Sequence, residues 1–315
     1  MSAHPDPRSL DAALGIQPGA DVSTETAPAP AGNDVLTDTS PNRTAAEVID
    51  RAAPGRPRSG RRRCCSVGSV IISAMFDHVD IRVSDLAASR AFYREALGPA
   101  TVDDGEIVEW GDFGILEASD EHPLTRRLQI AFGVEDRDAV DAWWNRLTEA
   151  GYKSDGESGP RPQYSDSYYG GFIIDPDGNS VEAVHHDTSQ AGEIDHLWLR
   201  TRDLAAAKRF YQTVAPVVGI TLRHNSTERV QFTDGRGSFS FLAGDEPTQN
   251  VHLAFGVPDV ETVARFHEAA LTAGYRDNGP PGERPHYHPG YYGAFVLDPD
   301  SHNLEAVFHD RKQNS

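Results

Sequence analysis

Three residues in the second half of the chain, His196, His252 and Glu305, are of the types that hold a transition metal: two imidazoles and a carboxylate. Each sits in a stretch whose side chains alternate between apolar and polar. Val251, Leu253, Phe255 and Val257 make one side of a strand pattern, so His252 points the other way. Leu197 and Leu199 leave His196, Trp198 and Arg200 opposite them, and Leu304, Ala306 and Phe308 leave Asn303 and Glu305 opposite. If a curved sheet brings these strands together, the result is a three-ligand cluster with open positions, the arrangement a catalytic divalent ion needs. The loop from Arg284 to Tyr292 adds groups that move protons near neutral pH. His286, His288 and Tyr291 are the expected acid-base residues, and Trp198, Arg200, Tyr287 and Tyr292 the expected substrate lining.

These stretches belong to a repeat. Asp77-His78-Val79-Asp80-Ile81-Arg82 recurs as Asp195-His196-Leu197-Trp198-Leu199-Arg200, and each is followed by Asp-Leu-Ala-Ala and then Phe92-Tyr93 or Phe210-Tyr211. Tyr168-Tyr169-Gly170, Asp175-Pro176-Asp177 and Glu182-Ala183-Val184 recur as Tyr291-Tyr292-Gly293, Asp298-Pro299-Asp300 and Glu305-Ala306-Val307. From Gln129/His252 to Glu182/Glu305 the offset stays at 123 positions, so no insertion separates the copies there. Within each copy the apolar period switches between two and 3.6, ordering the elements as strand, helix and three strands, twice over. Ser84-Asp85 reads as a helix N-cap, and Gly151 and Gly274 as the close of the second helix in each copy. In copy two the strand pattern covers residues 194–201, 218–223, 228–233, 237–242, 250–257, 293–298 and 302–309. The expected class is α+β: two tandem domains, 75–187 and 193–310, each a pair of βαβββ units forming a curved mixed sheet around a cavity.

The Asp-His strand opening, the Phe-Tyr helix and the Asp-Pro-Asp turn before the Glu resemble the vicinal oxygen chelate superfamily. That superfamily includes glyoxalase I, extradiol dioxygenases, fosfomycin-resistance enzymes and bleomycin-resistance proteins. The resemblance covers about 76–310 and implies metal ligands on the first, fifth and last strands of each domain. Carried over by position, copy two offers His196, His252 and Glu305. Copy one offers His78, Gln129 and Glu182, with Glu117 on its fourth strand as a further ligand of glyoxalase I type, where copy two carries Leu242. The implied cofactor is a divalent metal, Fe, Mn, Ni or Zn. The implied chemistry is bidentate chelation of a small oxygen-rich substrate, as in a glyoxalase-like lyase or isomerase or a dioxygenase, with the active site in copy two. Gln163 and Ser165 replace His286 and His288 in copy one, and Phe295 stands where the dioxygenases carry a Tyr, which argues against ring cleavage.

Bland readings compete at several positions. Asp298-Pro299-Asp300 is most simply a tight turn. Trp143 or Trp144 is core packing, one of Tyr291 and Tyr292 only closes a wall, and His185, His186 and His309 end strands in solvent. An alternative function is a metal-free binding or resistance protein using an aromatic groove of Trp198, Tyr291 and Tyr292, and copy one could be a scaffold that merely covers copy two.

The formal net charge of -19 on 315 residues repels phosphate backbones and anionic lipid, leaving a small molecule as the expected partner, with no nucleic acid and no membrane. Residues 1–63 are poor in aromatic and β-branched clusters, and 1–74 read as a disordered leader, with Met75 as an alternative start. The two cysteines, Cys64 and Cys65, lie outside the repeats, and the expected location is cytoplasmic. A monomer with paired domains and a homodimer are both compatible with a tandem repeat.

Overall fold

The computed structural model describes residues 75–310, so the expectations for residues 1–74 lie outside the described residues. Within them the chain runs through four units of one kind. Unit one is β1 (His78–Val83), α1 (Leu86–Leu97), β2 (Val102–Asp103), β3 (Ile107–Trp110) and β4 (Phe113–Glu117). Unit two is β5 (Gln129–Gly133), α2 (Arg137–Glu149), β6 (Ser154–Pro160), β7 (Tyr169–Ile174) and β8 (Ser180–His185). Unit three is β9 (Ile194–Thr201), α3 (Leu204–Val218), β10 (Thr221–Asn225), β11 (Arg229–Thr233) and β12 (Ser238–Ala243). Unit four is β13 (Val251–Gly256), α4 (Val260–Thr272), β14 (Arg276–Glu283), β15 (Tyr291–Leu297) and β16 (Asn303–His309).

Local chemistry explains the boundaries. Asp85, Asp136, Asp203 and Asp259 each accept the backbone N–H three residues on, which satisfies an orphan donor of the first helical turn. Gly151 and Gly274 follow the second helices with φ of 92° and 87°, as expected of a left-handed exit. Helix α3 runs through Val218, which moves the following strand later than the sequence pattern placed it. Strand β14 has no apolar alternation at all, being Arg-Asp-Asn-Gly-Pro-Pro-Gly-Glu, and it forms at a sheet edge where prolines are tolerated.

The α+β architecture is as expected, with two mixed eight-stranded sheets, but each sheet draws on both repeats. One runs β14-β15-β16-β13-β1-β4-β3-β2, joining units four and one, and the other runs β10-β11-β12-β9-β5-β8-β7-β6, joining three and two. The seams, β1 with β13 and β5 with β9, are antiparallel. Helix-to-helix packing, by contrast, pairs the two helices of one repeat, while Phe76 crosses to Phe239 and Phe255 of the other. Trp143 on α2 donates its indole N–H to Ala96 O of α1 at 2.9 Å, and Phe92 meets Tyr152 edge-on at 4.9 Å. Tyr93 of α1 donates to Asp175 in the β7–β8 turn, as Tyr211 does to Asp298. The recurrent Phe-Tyr and Asp-Pro-Asp motifs are therefore two halves of one buried contact. Asp298 also accepts the backbone N–H groups of Asp300 and His302, which confirms the tight turn.

The chain changes sheet at two matching linkers that bond to each other. Thr125 Oγ1 donates to Asn250 O at 2.6 Å and Thr248 Oγ1 to Arg127 O at 2.7 Å. Arg127 and Asn250 both adopt left-handed backbone, φ 59° and 56°. Among the described residues, no helix is long and apolar enough to cross a membrane.

Candidate metal centre

Strands β1, β13 and β16 are neighbours, and their register sets the centre. Across the seam Asp80 stands opposite His252 and His78 opposite Ala254, while Ala254 pairs with Glu305 on its other side. Because alternate residues share a face, His78, Asp80, His252 and Glu305 project together. Their neighbours Val79, Ile81, Leu253, Leu304 and Ala306 turn the other way into the core and are fully buried. The ligand atoms of His78, His252 and Glu305 all lie within 4.8 Å of one another. The two imidazole Nε2 atoms are 3.0 Å apart, and Glu305 Oε2 is 3.6 Å from His78 and 3.2 Å from His252. Without a cation, three electron-rich atoms at this spacing need a proton shared among them. A divalent ion satisfies all three lone pairs, and the donor set of two imidazoles and a carboxylate fits one.

Each of the three is held from behind, as ligands require. Asp77 Oδ2 lies 3.0 Å from His78 Nδ1, and the Asn303 amide 2.8 Å from His252 Nδ1. Tyr291 donates its hydroxyl to Glu305 Oε1 at 2.8 Å. Burial and the Glu305 charge hold the Tyr291 phenol well above its ordinary value, so it stays a donor. Burial alone would lower His78, but the hydrogen bond to Asp77 and the charges of Asp80 and Glu305 outweigh it and push the imidazole up to about 10. A Cβ at Gly293 would collide with the Glu305 carboxylate, which is why glycine ends the Tyr-Tyr-Gly motif.

The other seam carries the counterpart. Gln129 Nε2 donates to Glu182 Oε2 at 2.7 Å, and His196 Nε2 is 3.3 Å from the same oxygen. Tyr168 donates to Glu182 Oε1 at 2.6 Å, and Asp195 lies 2.8 Å from His196 Nδ1. Trp198 takes the place of Asp80, opposite Gln129. Gln129, Glu182 and His196 are all buried, and the amide and the Tyr168 hydroxyl each donate to one oxygen of the carboxylate.

This pairing corrects the sequence reading at several residues. His196 does not join His252 and Glu305, because the seam that brings in β13 supplies β1, and His78 fills that position. Trp198 and Arg200, on β9, belong to the Gln129 seam and not to the His252 centre. Glu117 pairs with Val83 at the exposed end of β4, on the face opposite His78, so it is no ligand. Its structural equivalent is Ala243, not Leu242, since Gly114 opposite Asp80 matches Ser240 opposite Trp198. Tyr292 shares its face with Phe308 and packs into the core, whereas Tyr291 and Tyr287 (ring centroids 4.7 Å apart) stay with the centre. His186 and His309 are not solvated strand ends: each bonds the aspartate that supports a seam histidine, Asp195 and Asp77. His288 reaches His309 Nδ1 at 2.9 Å and so lies behind His78, while His286 is exposed beside Tyr287. Sequence reasoning missed Asp77, Asp80, Asn303 and His309. The Asp before each seam histidine was a visible signal, since a carboxylate there can fix the ring.

The family model of the Glyoxalase/Bleomycin resistance protein/Dioxygenase superfamily matches residues 75–183 and again 193–306. Among solved structures, glyoxalase I from Zea mays superposes with a TM-score of 0.53 at 19% identity, over 74% of this chain and 92% of that one. A mutant of that enzyme gives 0.55 at 20% identity, over 76% and 95%. A candidate dioxygenase from Bacillus subtilis subsp. subtilis str. 168 gives 0.54 at 12%, over 75% and 85%. At these identities the likeness establishes the fold. No curated protein matches the chain.

Proposed function

This chain belongs to the glyoxalase/bleomycin resistance protein/dioxygenase superfamily, and on that premise we propose that it is a metal-dependent enzyme acting on a small, oxygen-rich substrate at His78, His252 and Glu305. The observation that carries this reading is the convergence of three ligand atoms from three adjacent strands, each with its own supporting hydrogen bond. A divalent ion there, Fe, Mn, Ni or Zn, would supply Lewis-acid polarisation of two adjacent substrate oxygens.

The rest is the work of the chain's own residues. Asp77, accepting from His78 Nδ1–H, presents Nε2 to the centre, and the line from His288 through His309 to Asp77 holds that carboxylate in place. Tyr291 fixes one Glu305 oxygen and leaves the other facing the histidines. Tyr287 and Tyr291 wall the site with aromatic surface. Asp80, its Oδ2 4.0 Å from His78 Nε2, is the carboxylate best placed to take a proton from a bound substrate. That position favours proton-transfer chemistry of the lyase or isomerase kind over dioxygenation. Both seams close within a single chain, so the centre needs no second copy.

Metal analysis of the full chain after gentle purification tests the reading. About one divalent ion per chain is expected, lost in His252→Ala, and Asp80→Asn should abolish turnover of α-hydroxycarbonyl or hemithioacetal substrates while retaining the metal. Metal-free wild-type protein that cannot be reloaded would sink the proposal.

A further inference from the structure

The sequence marks His288 as an acid-base residue, and the fold stacks it on His309, ring centroids 5.0 Å apart, at the far end of a line that runs through Asp77 to His78. The protons of this pair can be counted from its acceptors. His288 Nδ1 lies 2.8 Å from Pro289 O, and a carbonyl only accepts, so that nitrogen carries a proton. His309 Nε2 lies 3.0 Å from Asp77 Oδ1. Burial would raise the Asp77 carboxyl, but hydrogen bonds from His309 and His78 outweigh it and hold it well below the usual range. Asp77 is therefore an acceptor, and His309 Nε2 carries a proton as well. The inner nitrogens, His288 Nε2 and His309 Nδ1, face each other at 2.9 Å, which is direct hydrogen-bond distance and leaves no room for a water. Two bare nitrogens so placed would repel, so a third proton lies between them. Two imidazoles with three protons carry one positive charge. We propose that His288 and His309 share this excess proton in the metal-free protein, as a fixed cation behind His78, and that a divalent ion entering the centre expels it. The first half stands by itself, and the second rests on the metal reading of the centre.

The closed seam shows what His288 adds. Ser165 takes its place there and reaches Ser167 Oγ at 3.3 Å. His186, the equivalent of His309, keeps the bond to Asp195 through Nε2, but its Nδ1 accepts the Thr188 backbone N–H at 3.3 Å. One ring proton satisfies His186, and the ring is neutral. At the open seam the titratable groups around the pair are Asp77 and His78 at the start of β1, Asp112 in the β3–β4 turn beside Asp77, Tyr291 on β15 and Asp310 after β16. Asp77 makes the contact, and it also accepts His78 Nδ1–H, so the cation at His309 offsets the carboxylate that helps to keep a proton on His78. A divalent ion brings two positive charges to the other nitrogen of the same ring. The ion and the excess proton therefore disfavour each other, and the effect is reciprocal.

Histidine 15N spectra of the full chain, stripped of metal with EDTA and held at pH 7, test the first half, because a bare ring nitrogen resonates far from a protonated one. Three of the pair's four nitrogens should be protonated, whereas in His288→Ser the His309 ring should show one bare nitrogen, as His186 does. Calorimetric titration of the stripped protein with Zn²⁺, in buffers of different ionisation enthalpy, tests the second half. Wild type should release about one proton more per ion than His288→Ser or His288→Gln. Gln keeps a hydrogen bond and removes the charge, so a merely structural role for His288 would alter affinity and leave the proton count unmoved. Two neutral rings in the wild-type spectrum overturn the pair, whatever the metal does. A charged pair with equal proton release in all three proteins overturns the coupling alone, and a charged pair in protein that binds no Zn²⁺ overturns the coupling together with the metal reading.

Discussion

The two seams are the same construction with different tenants. His78 corresponds to His196, Glu305 to Glu182, Tyr291 to Tyr168 and His309 to His186, and the aspartate and tyrosine bonds that support the histidine and the carboxylate recur. The difference lies opposite the histidine pair. Where β13 brings an imidazole, three acceptors crowd one point and the histidines keep 16% and 23% of their side-chain surface exposed. Where β5 brings an amide, its N–H donates to the carboxylate directly, and the histidine, His196, falls to 8%. A single donor for an acceptor turns a site that wants a cation into one that has closed on itself.

The sharpest way to break this comparison is to remove equivalent histidines. His78→Ala should strip the protein of bound metal, whereas His196→Ala should leave the stoichiometry unchanged, measured by plasma emission on the purified variants. The reverse result would restore the grouping by sequence repeat and refute the seam. The complementary gain is the next largest effect. Gln129→His rebuilds two imidazoles and a carboxylate around Glu182, so metal content should rise from about one to about two ions per chain. If it stays at one, Trp198 or the closed packing, and not the amide, is what excludes metal.

The tyrosines separate the seams more gently. Tyr291→Phe removes the hydroxyl that orients Glu305 and should weaken metal affinity about 10-fold, the lower end for a ligand's supporting bond. Tyr168→Phe should leave metal binding alone and lower stability by roughly 1–3 kcal/mol, because it strands a buried carboxylate oxygen. Metal titration and urea unfolding of both variants read the two effects independently.

Much of this was legible in the sequence. The repeat, the βαβββ order and the face on which each histidine lies follow from period-two alternation and motif spacing. The partner of each face does not, because alternation says which side a residue occupies and nothing about which strand lies next to it. The chain changes sheet through linkers that include Arg127 and Asn250, whose left-handed backbone no sequence pattern announces. Asp80 was hidden by the same ambiguity: it alternates with apolar residues as any exposed strand residue would, and only the seam places it beside His252. Strand β14 was invisible because an edge strand rich in proline and glycine has no pattern to read.

The smallest expected effect concerns proton uptake at the closed seam. Burial would lower the His196 imidazole, yet hydrogen bonds to Asp195 and Glu182 outweigh it and push it up to about 10, from an ordinary 6.5. The folded state thus favours the protonated ring more than the unfolded chain does. That stabilisation is fully present below about pH 6.5 and is lost as pH rises towards 10. With metal bound at the other seam, where His78 then cannot titrate, the urea midpoint of wild-type protein should fall from pH 7 to pH 10, by on the order of 2 kcal/mol. His196→Gln keeps a hydrogen-bonding side chain without the charge, so its stability should be lower at pH 7 and nearly flat over the same interval. Parallel pH profiles for the two proteins would mean that His196 is neutral in its carboxylate cage and that the closed seam is held by hydrogen bonds alone.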